Sequence, residues 1–193
     1  MGKTALIVVD VQRDFCEGGA LAAADTISLM GALKEFIETA RGQGAVIVYT
    51  QDWHPSGHSS FKANGGPWPE HCVENSAGAE LMPPLRAVEG DVIIHKGVAQ
   101  DGAGYSGFEA TGLREKLRSL KIDHVGVAGV ATEYCVKATA LDAVRAGFQT
   151  QVLEDLIRPV QSSATGPALE EMKEAGVAAV SSTEWLEALQ RPS

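Results

Sequence analysis

Short, uninterrupted apolar segments alternate along the chain with longer segments of helical periodicity. The first apolar segment, residues 5–9, has no polar alternation, which is typical of a strand buried on both faces of a sheet. Further strands are predicted at residues 45–50, 91–95, 124–129, 149–153 and 177–180. Apolar positions three and four residues apart predict helices at 26–41, 108–120, 132–146, 164–175 and 183–189.

This alternation of strands and helices predicts a parallel sheet with right-handed crossovers. We therefore expect an α/β fold of three layers, α/β/α, in which a mostly parallel, Rossmann-like sheet of about six strands lies between helices. The chain has no internal repeat and no low-complexity linker, so residues 1–193 are predicted to form a single domain. Asp25 is the predicted N-cap of the first helix.

Candidate functional residues follow the strands of this predicted sheet. Asp10, Asp52 and Lys96 each come at or just after the end of a strand, and Cys135 begins the helix after the fourth strand. Ligands of parallel sheets bind at the carboxyl ends of the strands. The topology therefore predicts that these four side chains gather at one edge of the sheet.

Cys135 is the candidate nucleophile. If Thr132 caps the following helix, Cys135 lies in its first turn, where free N–H groups and the helix dipole favour a thiolate. The same N–H groups could hold a developing oxyanion. The alternative is a buried structural cysteine, because free cysteines are often buried.

Asp10 and Lys96 could form a buried pair beside this cysteine. Asp10 could be an N-cap or turn residue, or a general base whose pKa is tuned by its surroundings. Lys96 follows a buried strand, where lysine is rare unless it is paired. A pair of the two would place a proton carrier and an orienting cation near Cys135.

A second group of polar residues lies in the long segment that follows the second strand. Asp52 and His54 are separated by one residue, so an extended backbone would point both side chains to the same face, and His71 follows in the same segment. Carboxylate and imidazole ligands suit zinc, iron or manganese. His58 is a further candidate ligand, or a residue of the surface or the ligand surroundings.

Aromatic residues are scarce, at 6% of the chain, but three stand in loop-like contexts near these candidates: Phe15, Trp68 and Tyr105. They could anchor loops, or they could form a flat slot that stacks on an aromatic ring.

A glycine motif at residues 102–107 matches G-x-G-x-x-G. It does not directly follow a strand, its helix starts only after residue 107, and a tyrosine stands inside it, so we do not expect a dinucleotide site.

The composition excludes several classes of partner. Sixteen basic and 25 acidic residues give a formal net charge of −9, so neither nucleic acid nor an anionic membrane is an expected partner. No apolar run approaches the roughly 18 residues of a membrane span, and the N-terminus lacks a signal-peptide pattern. Three cysteines are an odd and sparse set, which favours free thiols and a cytoplasmic location.

Six of these segments together resemble the nicotinamidase/pyrazinamidase branch of the isochorismatase-like hydrolases. They occur in the family's order and cover most of the chain, at residues 9–15, 52–61, 68–73, 95–97, 105–108 and 129–136. Each segment alone is weak, whereas the six together are specific. Two positions depart from the family's pattern: Arg13 stands where asparagine is often found, and Glu133 where aspartate is frequent. Neither is a reacting group, although both could alter contacts at the rim or the packing of loops.

The resemblance implies hydrolysis of nicotinamide to nicotinate and ammonia, which would serve NAD salvage. It implies Asp10, Lys96 and Cys135 as the catalytic triad, with a thioester on Cys135 as the intermediate. The backbone N–H groups of Ala131 and Cys135 would form the oxyanion hole, and the Val130–Ala131 peptide would be cis.

The resemblance also implies one divalent metal ion, with zinc expected first and iron or manganese as alternatives. Its ligands would be Asp52, His54 and His71, with waters completing the shell. Four residues would surround the pyridine ring of a small-molecule substrate: Phe15, Trp68, Tyr105 and Val130. The oligomeric state stays open, with a homo-oligomer among the options.

Three other functions compete with this interpretation. A sister amidase of the same superfamily could act on another carboxamide or a ureido compound, although many such relatives lack the metal-binding residues. A vinyl-ether hydrolase of the isochorismatase type is disfavoured by Cys135. A non-catalytic module that binds a dinucleotide or a protein would leave Asp10, Lys96, Cys135 and the histidines without a common purpose.

Overall fold

The computed structural model describes residues 2–190 and contains the predicted parallel sheet. Six strands are hydrogen-bonded in the order β3-β2-β1-β4-β5-β6, and every neighbouring pair is parallel. The strands are β1 (Lys3–Val9), β2 (Val46–Asp52), β3 (Val92–Lys96), β4 (Ile122–Val130), β5 (Gln149–Arg158) and β6 (Ala178–Val180). From β1 the chain adds β2 and β3 on one side of the sheet. It then returns to place β4, β5 and β6 on the other side of β1.

Within residues 2–190, five α-helices cover the two faces of this sheet: α1 (Thr26–Gly42), α2 (Leu113–Ser119), α3 (Lys137–Arg145), α4 (Thr165–Glu174) and α5 (Ser182–Leu189). Apolar residues of α1 and α5 pack with Leu6 and Val8 of β1 on one face. Residues of α2, α3 and α4 pack with Ile7 and Val9 on the other face. Residues 5–9 are fully buried, which explains why their sequence is apolar without alternation. The three-layer α/β/α prediction is confirmed.

Helix α2 begins five residues later than the sequence predicts. The backbone at Ala110 and Gly112 has φ angles of 54° and 73°, which a right-handed helix cannot include. Residues 106–112 instead form turns, in which the Glu109 amide donates to the Ser106 carbonyl and the Thr111 hydroxyl to the Gly107 carbonyl. The apolar spacing that predicted a helix from residue 108 therefore covers a turn and a shorter helix.

The predicted helix 132–146 consists of two parts. Thr132–Val136 forms a π-helical turn, and the regular helix α3 follows from Lys137. The amides of Tyr134 and Val136 both donate to the Ala131 carbonyl. Periodicity alone does not distinguish a wide turn from an α-helix, because the polar and apolar faces remain similar over five residues.

Strand β5 extends five residues beyond its predicted end at residue 153. Polar residues interrupt the apolar run there, but the backbone continues to pair with β4 after a register shift, with Gly129 opposite Ile157.

At α1, Asp25 precedes the helix as expected, but its carboxylate accepts a hydrogen bond from the Ser28 hydroxyl and caps no backbone N–H group. Over residues 2–190, no helix is both long and apolar enough to cross a membrane.

Gly126 lies under the indole of Trp185, which fixes how closely α5 approaches the sheet. A Cβ atom at Gly126 would lie 2.6 Å from Nε1 of Trp185, and Trp185 is 2% exposed. We predict that Gly126→Ala lowers the free energy of unfolding by about 1–3 kcal/mol, because the indole must shift in a packed core. Urea denaturation followed by circular dichroism measures this change.

Gly31 provides the matched control, because it lies within α1 and a Cβ atom there would meet nothing within 4 Å. Gly31→Ala should raise the free energy of unfolding by roughly 0.5–1 kcal/mol, since alanine is the better helix former. Equal effects of the two substitutions would contradict the packing described for Trp185.

Candidate active site

The carboxyl ends of β1, β2, β3 and β4 meet at one edge of the sheet and bring the candidate residues together. The register pairs Asp52 of β2 directly with Lys96 of β3. Asp10 follows β1, and its amide donates to the Thr50 carbonyl of β2 over 3.1 Å. Asp10 has a φ of 48°, so the chain turns sharply at the end of the strand. Adjacent strands therefore place these side chains within contact distance.

Lys96 lies at the centre of the site. Its side chain is 0% exposed, and its ammonium contacts Asp10 Oδ2 at 2.8 Å and Asp52 Oδ1 at 2.5 Å. Nζ also donates to the Gly104 carbonyl at 2.9 Å and lies 3.4 Å from Sγ of Cys135. Burial lowers the pKa of Lys96, but the two carboxylates outweigh this effect and raise it well above its ordinary value. The two carboxylates therefore favour the protonated form of the lysine.

Asp10 is completely buried beside this cation. Its Oδ1 accepts a hydrogen bond of 2.7 Å from the Thr50 hydroxyl. The contact of Oδ2 with Lys96 lacks hydrogen-bond geometry, and no described residue donates a regular hydrogen bond to Oδ2. Burial raises the pKa of Asp10 above its ordinary value, although Lys96 opposes the shift. Asp10 therefore keeps an acceptor oxygen and an increased basicity.

Cys135 lies in the π-helical turn, and its Sγ lies within 4.8 Å of carboxylate oxygens of Asp10 and Asp52. The thiol is 6% exposed. Burial raises its pKa well above the ordinary value; Lys96 opposes this shift, and Asp10 and Asp52 add to it. The expected stabilisation of a free thiolate by a helix N-terminus is thus outweighed. A neutral thiol with a carboxylate beside it requires transfer of its proton to that carboxylate before it can attack.

The backbone before Cys135 approaches β1 very closely. Gly129 has a φ of 116°, and a Cβ atom there would lie 2.2 Å from the Val9 carbonyl oxygen. Only glycine fits such a position. The peptide between Val130 and Ala131 is cis, as the resemblance implied. The close approach at Gly129 brings the turn that carries Cys135 against the end of β1, and hence against Asp10.

A second cluster shares Asp52 with the first. Asp52, His54 and His71 are all buried, and one ligand atom from each lies within 4.8 Å of the others. The Nε2 atom of His54 lies 3.5 Å from Asp52 Oδ2, the oxygen not used by Lys96. Burial raises the pKa of Asp52, but Lys96 and His54 outweigh it and lower the pKa to about 2. The carboxylate is therefore ionised.

The donor set of this cluster fits a divalent metal ion. Nδ1 of His54 contacts the Gly97 carbonyl at 2.9 Å, and Nδ1 of His71 contacts the Pro69 carbonyl at 2.8 Å. Because a carbonyl only accepts, both Nδ1 atoms carry a proton, so the neutral form of each ring keeps its lone pair on Nε2, the nitrogen that can bind a metal. Burial also lowers the pKa of His71, which favours its neutral form. Buried lone pairs next to a carboxylate oxygen repel each other unless a cation lies between them.

His58 lies beside this cluster but outside the three ligand atoms that lie within 4.8 Å of one another. Its ring stacks on His54 with centroids 4.2 Å apart. Its Nδ1 accepts a hydrogen bond from the Ser60 amide, and no described residue bonds its buried Nε2. Burial lowers the pKa of His58. The ring thus packs against a candidate ligand and supports its orientation.

A narrow pocket opens above Cys135 and the Asp52/His71 side of the cluster. Together with the solvent space at its mouth, the pocket measures about 380 Å³. The four residues expected to surround a ring all line it: Phe15, Trp68, Tyr105 and Val130. The Trp68 indole N–H donates to the Tyr105 hydroxyl over 3.1 Å. The pocket therefore suits one small aromatic ring with a group directed at Cys135.

Several functional contacts could not be found by sequence reasoning. Leu21, Tyr134 and Val160 also line the pocket. Asp52 was expected only as a metal ligand, yet it is also a partner of Lys96. Gln12 is fully buried, and its amide group bonds both the N–H and the carbonyl of Asp52. A glutamine three residues after the end of β1, and two after Asp10, is the one signal that could have indicated this role.

Comparison with known proteins agrees with this geometry. A nicotinamidase/pyrazinamidase of Mycobacterium tuberculosis is 42% identical, over 93% of this chain and 99% of its own length. A crystal structure of pyrazinamidase of Pyrococcus horikoshii in complex with zinc has a TM-score of 0.89 and 46% identity, over 93% of this chain and 99% of that one. The structure of PnC1 from L. infantum in complex with nicotinate has a TM-score of 0.85 and 38% identity, over 94% of both chains.

The family model described as Isochorismatase domain matches residues 4–184, from β1 into α5. This range contains every side chain of the pocket and of both polar clusters. The resemblance found in six short segments thus extends through the whole sheet and its helices. The chain belongs to the isochorismatase family.

Proposed function

We propose that this protein is a nicotinamidase that hydrolyses nicotinamide, and also pyrazinamide, to the carboxylic acid and ammonia. The observation that carries the proposal is the arrangement around Lys96. This buried cation contacts Asp10 and lies 3.4 Å from the Cys135 thiol, and it shares Asp52 with a histidine cluster suited to a metal. The thiol and two residues of the candidate metal cluster, Asp52 and His71, therefore line one narrow aromatic pocket, and the base Asp10 lies behind the thiol. The similarity to nicotinamidases and pyrazinamidases supports this substrate class.

The first step is attack of Cys135 on the carboxamide. Asp10 takes the thiol proton on Oδ2, the oxygen that accepts no regular hydrogen bond from a described residue; a carboxylate oxygen of Asp10 lies within 4.8 Å of Sγ. The sulfur then bonds to the amide carbon, and the carbonyl π electrons move onto oxygen. We assign the backbone N–H groups of Ala131 and Cys135 as donors to that oxyanion. Lys96 stays protonated and keeps Asp10 in position.

The second step releases ammonia, and the third releases the acid. Protonated Asp10 gives its proton to the leaving nitrogen as the C–N bond breaks, which leaves a thioester on Cys135. Asp10 then removes a proton from a water molecule that attacks the thioester carbon. The C–S bond breaks, the thiolate recovers the proton, and Asp10 returns to its starting state.

A divalent ion held by Asp52, His54 and His71 would supply an electrophilic binding point for the ring nitrogen. We propose zinc as this ion, because two imidazoles and one carboxylate are ligands that zinc accepts, although iron and manganese share this preference. Phe15 and Trp68 lie on the walls of the pocket and would stack on the ring. Ring and carboxamide are thereby oriented before the chemistry begins.

The proposal includes a cellular role in NAD salvage and a location in a reducing compartment, the cytoplasm. The location is supported by the free thiols of all three cysteines, of which Cys16 and Cys72 take no part in the reaction. The role in NAD salvage rests on the similarity to nicotinamidases. We also propose that residues 1–193 act as one hydrolase domain, since all six strands belong to one sheet. The formal charge of −9 argues against nucleic acid as a partner. The state of oligomerisation does not enter the proposed reaction.

The first prediction concerns the nucleophile. Purified protein should release ammonia from nicotinamide, and Cys135→Ala should reduce this rate by at least about a thousand-fold, because no other group can form the acyl intermediate. A coupled ammonia assay measures the rate. Cys16→Ala is the matched control and should retain activity. Ammonia release that survives Cys135→Ala would exclude the thioester route.

The second prediction concerns the base. Asp10→Asn should lower kcat by roughly 10²- to 10⁴-fold, because an amide cannot accept the thiol proton, while Asp52 still pairs with Lys96. Steady-state kinetics and a thermal melt separate lost chemistry from lost fold. Asp123→Asn, at an exposed residue of β4, should leave kcat unchanged. A kcat for Asp10→Asn within about tenfold of the wild type would contradict the assigned role.

The third prediction concerns the metal. His54→Ala and His71→Ala should each reduce the bound divalent metal from about one per chain to well below half, because each removes a ligand from a three-residue set. Mass spectrometry of metals in dialysed protein measures the content. His124→Ala, at the amino-terminal part of β4, should retain it. Full metal content in either ligand variant would remove that histidine from the site.

A further inference from the structure

Residues 159–161, between β5 and α4, form part of the pocket wall. Val160 lines the same pocket as Cys135, and Leu21 lines it as well. The amide of Ala24 donates to the Pro159 carbonyl over 2.9 Å, which joins the segment to the loop that carries Leu21. Two apolar walls of the pocket are thus parts of one connected surface. Neither takes part in the proposed chemistry.

Glu133 is the residue that holds this segment in place. Its Oε1 and Oε2 accept hydrogen bonds from the Val160 amide at 3.1 and 3.2 Å, and Oε1 accepts one from the Gln161 amide at 2.9 Å. Hydrogen bonds to an ionised acceptor are the stronger kind. Pro159 has no N–H group, so the two consecutive amides that follow it are the donors by which this segment can be fixed.

The position of Glu133 links this anchor to the reaction centre. Glu133 lies in the π-helical turn Thr132–Val136, two residues before the nucleophile Cys135. The wall at Val160 is therefore fixed relative to the attacking sulfur and not only relative to β5. The length of the Glu133 side chain determines how far Val160 lies from this turn. A shorter aspartate would have to draw the segment inward or lose one of its two donors.

We propose that Glu133 is a positioning residue that sets the size limit of the substrate ring through Val160. The inference rests on the proposed amidase function, because it concerns which carboxamides that site accepts. The carboxylate does not touch the substrate. With Glu133 intact, the wall at Val160 excludes ring carboxamides that carry a methyl group on the side facing it.

Kinetic constants of the wild type, Glu133→Ala, Val160→Ala and the double variant test this proposal. The substrates are nicotinamide and its four derivatives that carry one methyl group on a ring carbon, which are isomers of one another. Glu133→Ala should raise the KM for nicotinamide by roughly tenfold, as expected for the loss of an apolar wall contact, with kcat changed by less than about threefold. The kcat/KM of the same methylated compound should rise relative to that of nicotinamide in both single variants. The KM and the substrate preference of the double variant should differ little from those of either single variant, because both changes act on one wall.

Three further variants keep this test decisive. Glu133→Gln can still accept from both amides through one oxygen and should change the KM less than Glu133→Ala does. Glu133→Asp keeps the charge but is one methylene shorter, and it should alter the preference among methylated isomers even if Glu133→Ala does not fold. Glu154→Ala, at an exposed glutamate of β5, is the control and should match the wild type.

Amide hydrogen exchange provides a readout that does not depend on turnover. The Val160 and Gln161 amides should exchange at least about tenfold faster in Glu133→Ala than in the wild type, because their acceptor is lost. Unchanged exchange, an unchanged isomer preference in Glu133→Ala and Glu133→Asp, or additive effects in the double variant would overturn the inference. If the wild type fails to hydrolyse nicotinamide, the proposed function is wrong; calorimetric binding of the same five amides then decides whether Glu133 controls the pocket.

Discussion

The buried ammonium of Lys96 is the interaction on which the rest of the site depends. It is fully buried between the carboxylates of Asp10 and Asp52, and burying any one of these charges alone would cost several kcal/mol. Each charge is therefore tolerated only because the others are present. The register that places Asp52 beside Lys96 comes from ordinary pairing of parallel strands. The pairing of Asp52 with Lys96 thus follows from the sheet alone, whereas Asp10 reaches Lys96 through the sharp turn at the end of β1.

Asp52 connects the two parts of the site because each of its oxygens has a separate neighbour. Oδ1 contacts Lys96, and Oδ2 lies beside His54. The same carboxylate therefore balances the cation near the nucleophile and offers an oxygen to the candidate metal cluster. Gln12 holds the backbone of Asp52 through both its N–H and its carbonyl. These two hydrogen bonds fix the backbone of Asp52, so that its side chain can contact Lys96 and the candidate metal cluster at the same time.

The pocket itself is built mainly from connecting segments, which a few polar side chains hold against the sheet. Glu133 fixes residues 160 and 161. Asp14 similarly accepts from the Cys72 amide, next to the candidate ligand His71. Such contacts join segments far apart in the chain, and they satisfy backbone groups that would otherwise lack partners away from water. The ends of the strands and the π-helical turn after β4 supply the reacting side chains, and these anchored loops supply the shape of the pocket.

The sequence by itself determined the layer architecture and the strands that carry Asp10, Asp52 and Lys96, because buried parallel strands have a local apolar signature. Turns with left-handed residues, as at Ala110, and the late part of β5 left no such signature, so helix α2 and strand β5 were predicted with wrong limits. Only the tertiary structure decided that Asp52 contacts Lys96, that burial raises the pKa of Cys135, and that Glu133 supports Val160. These properties depend on side chains separated by 27 to 44 residues, and their distances follow from packing, which no local pattern encodes.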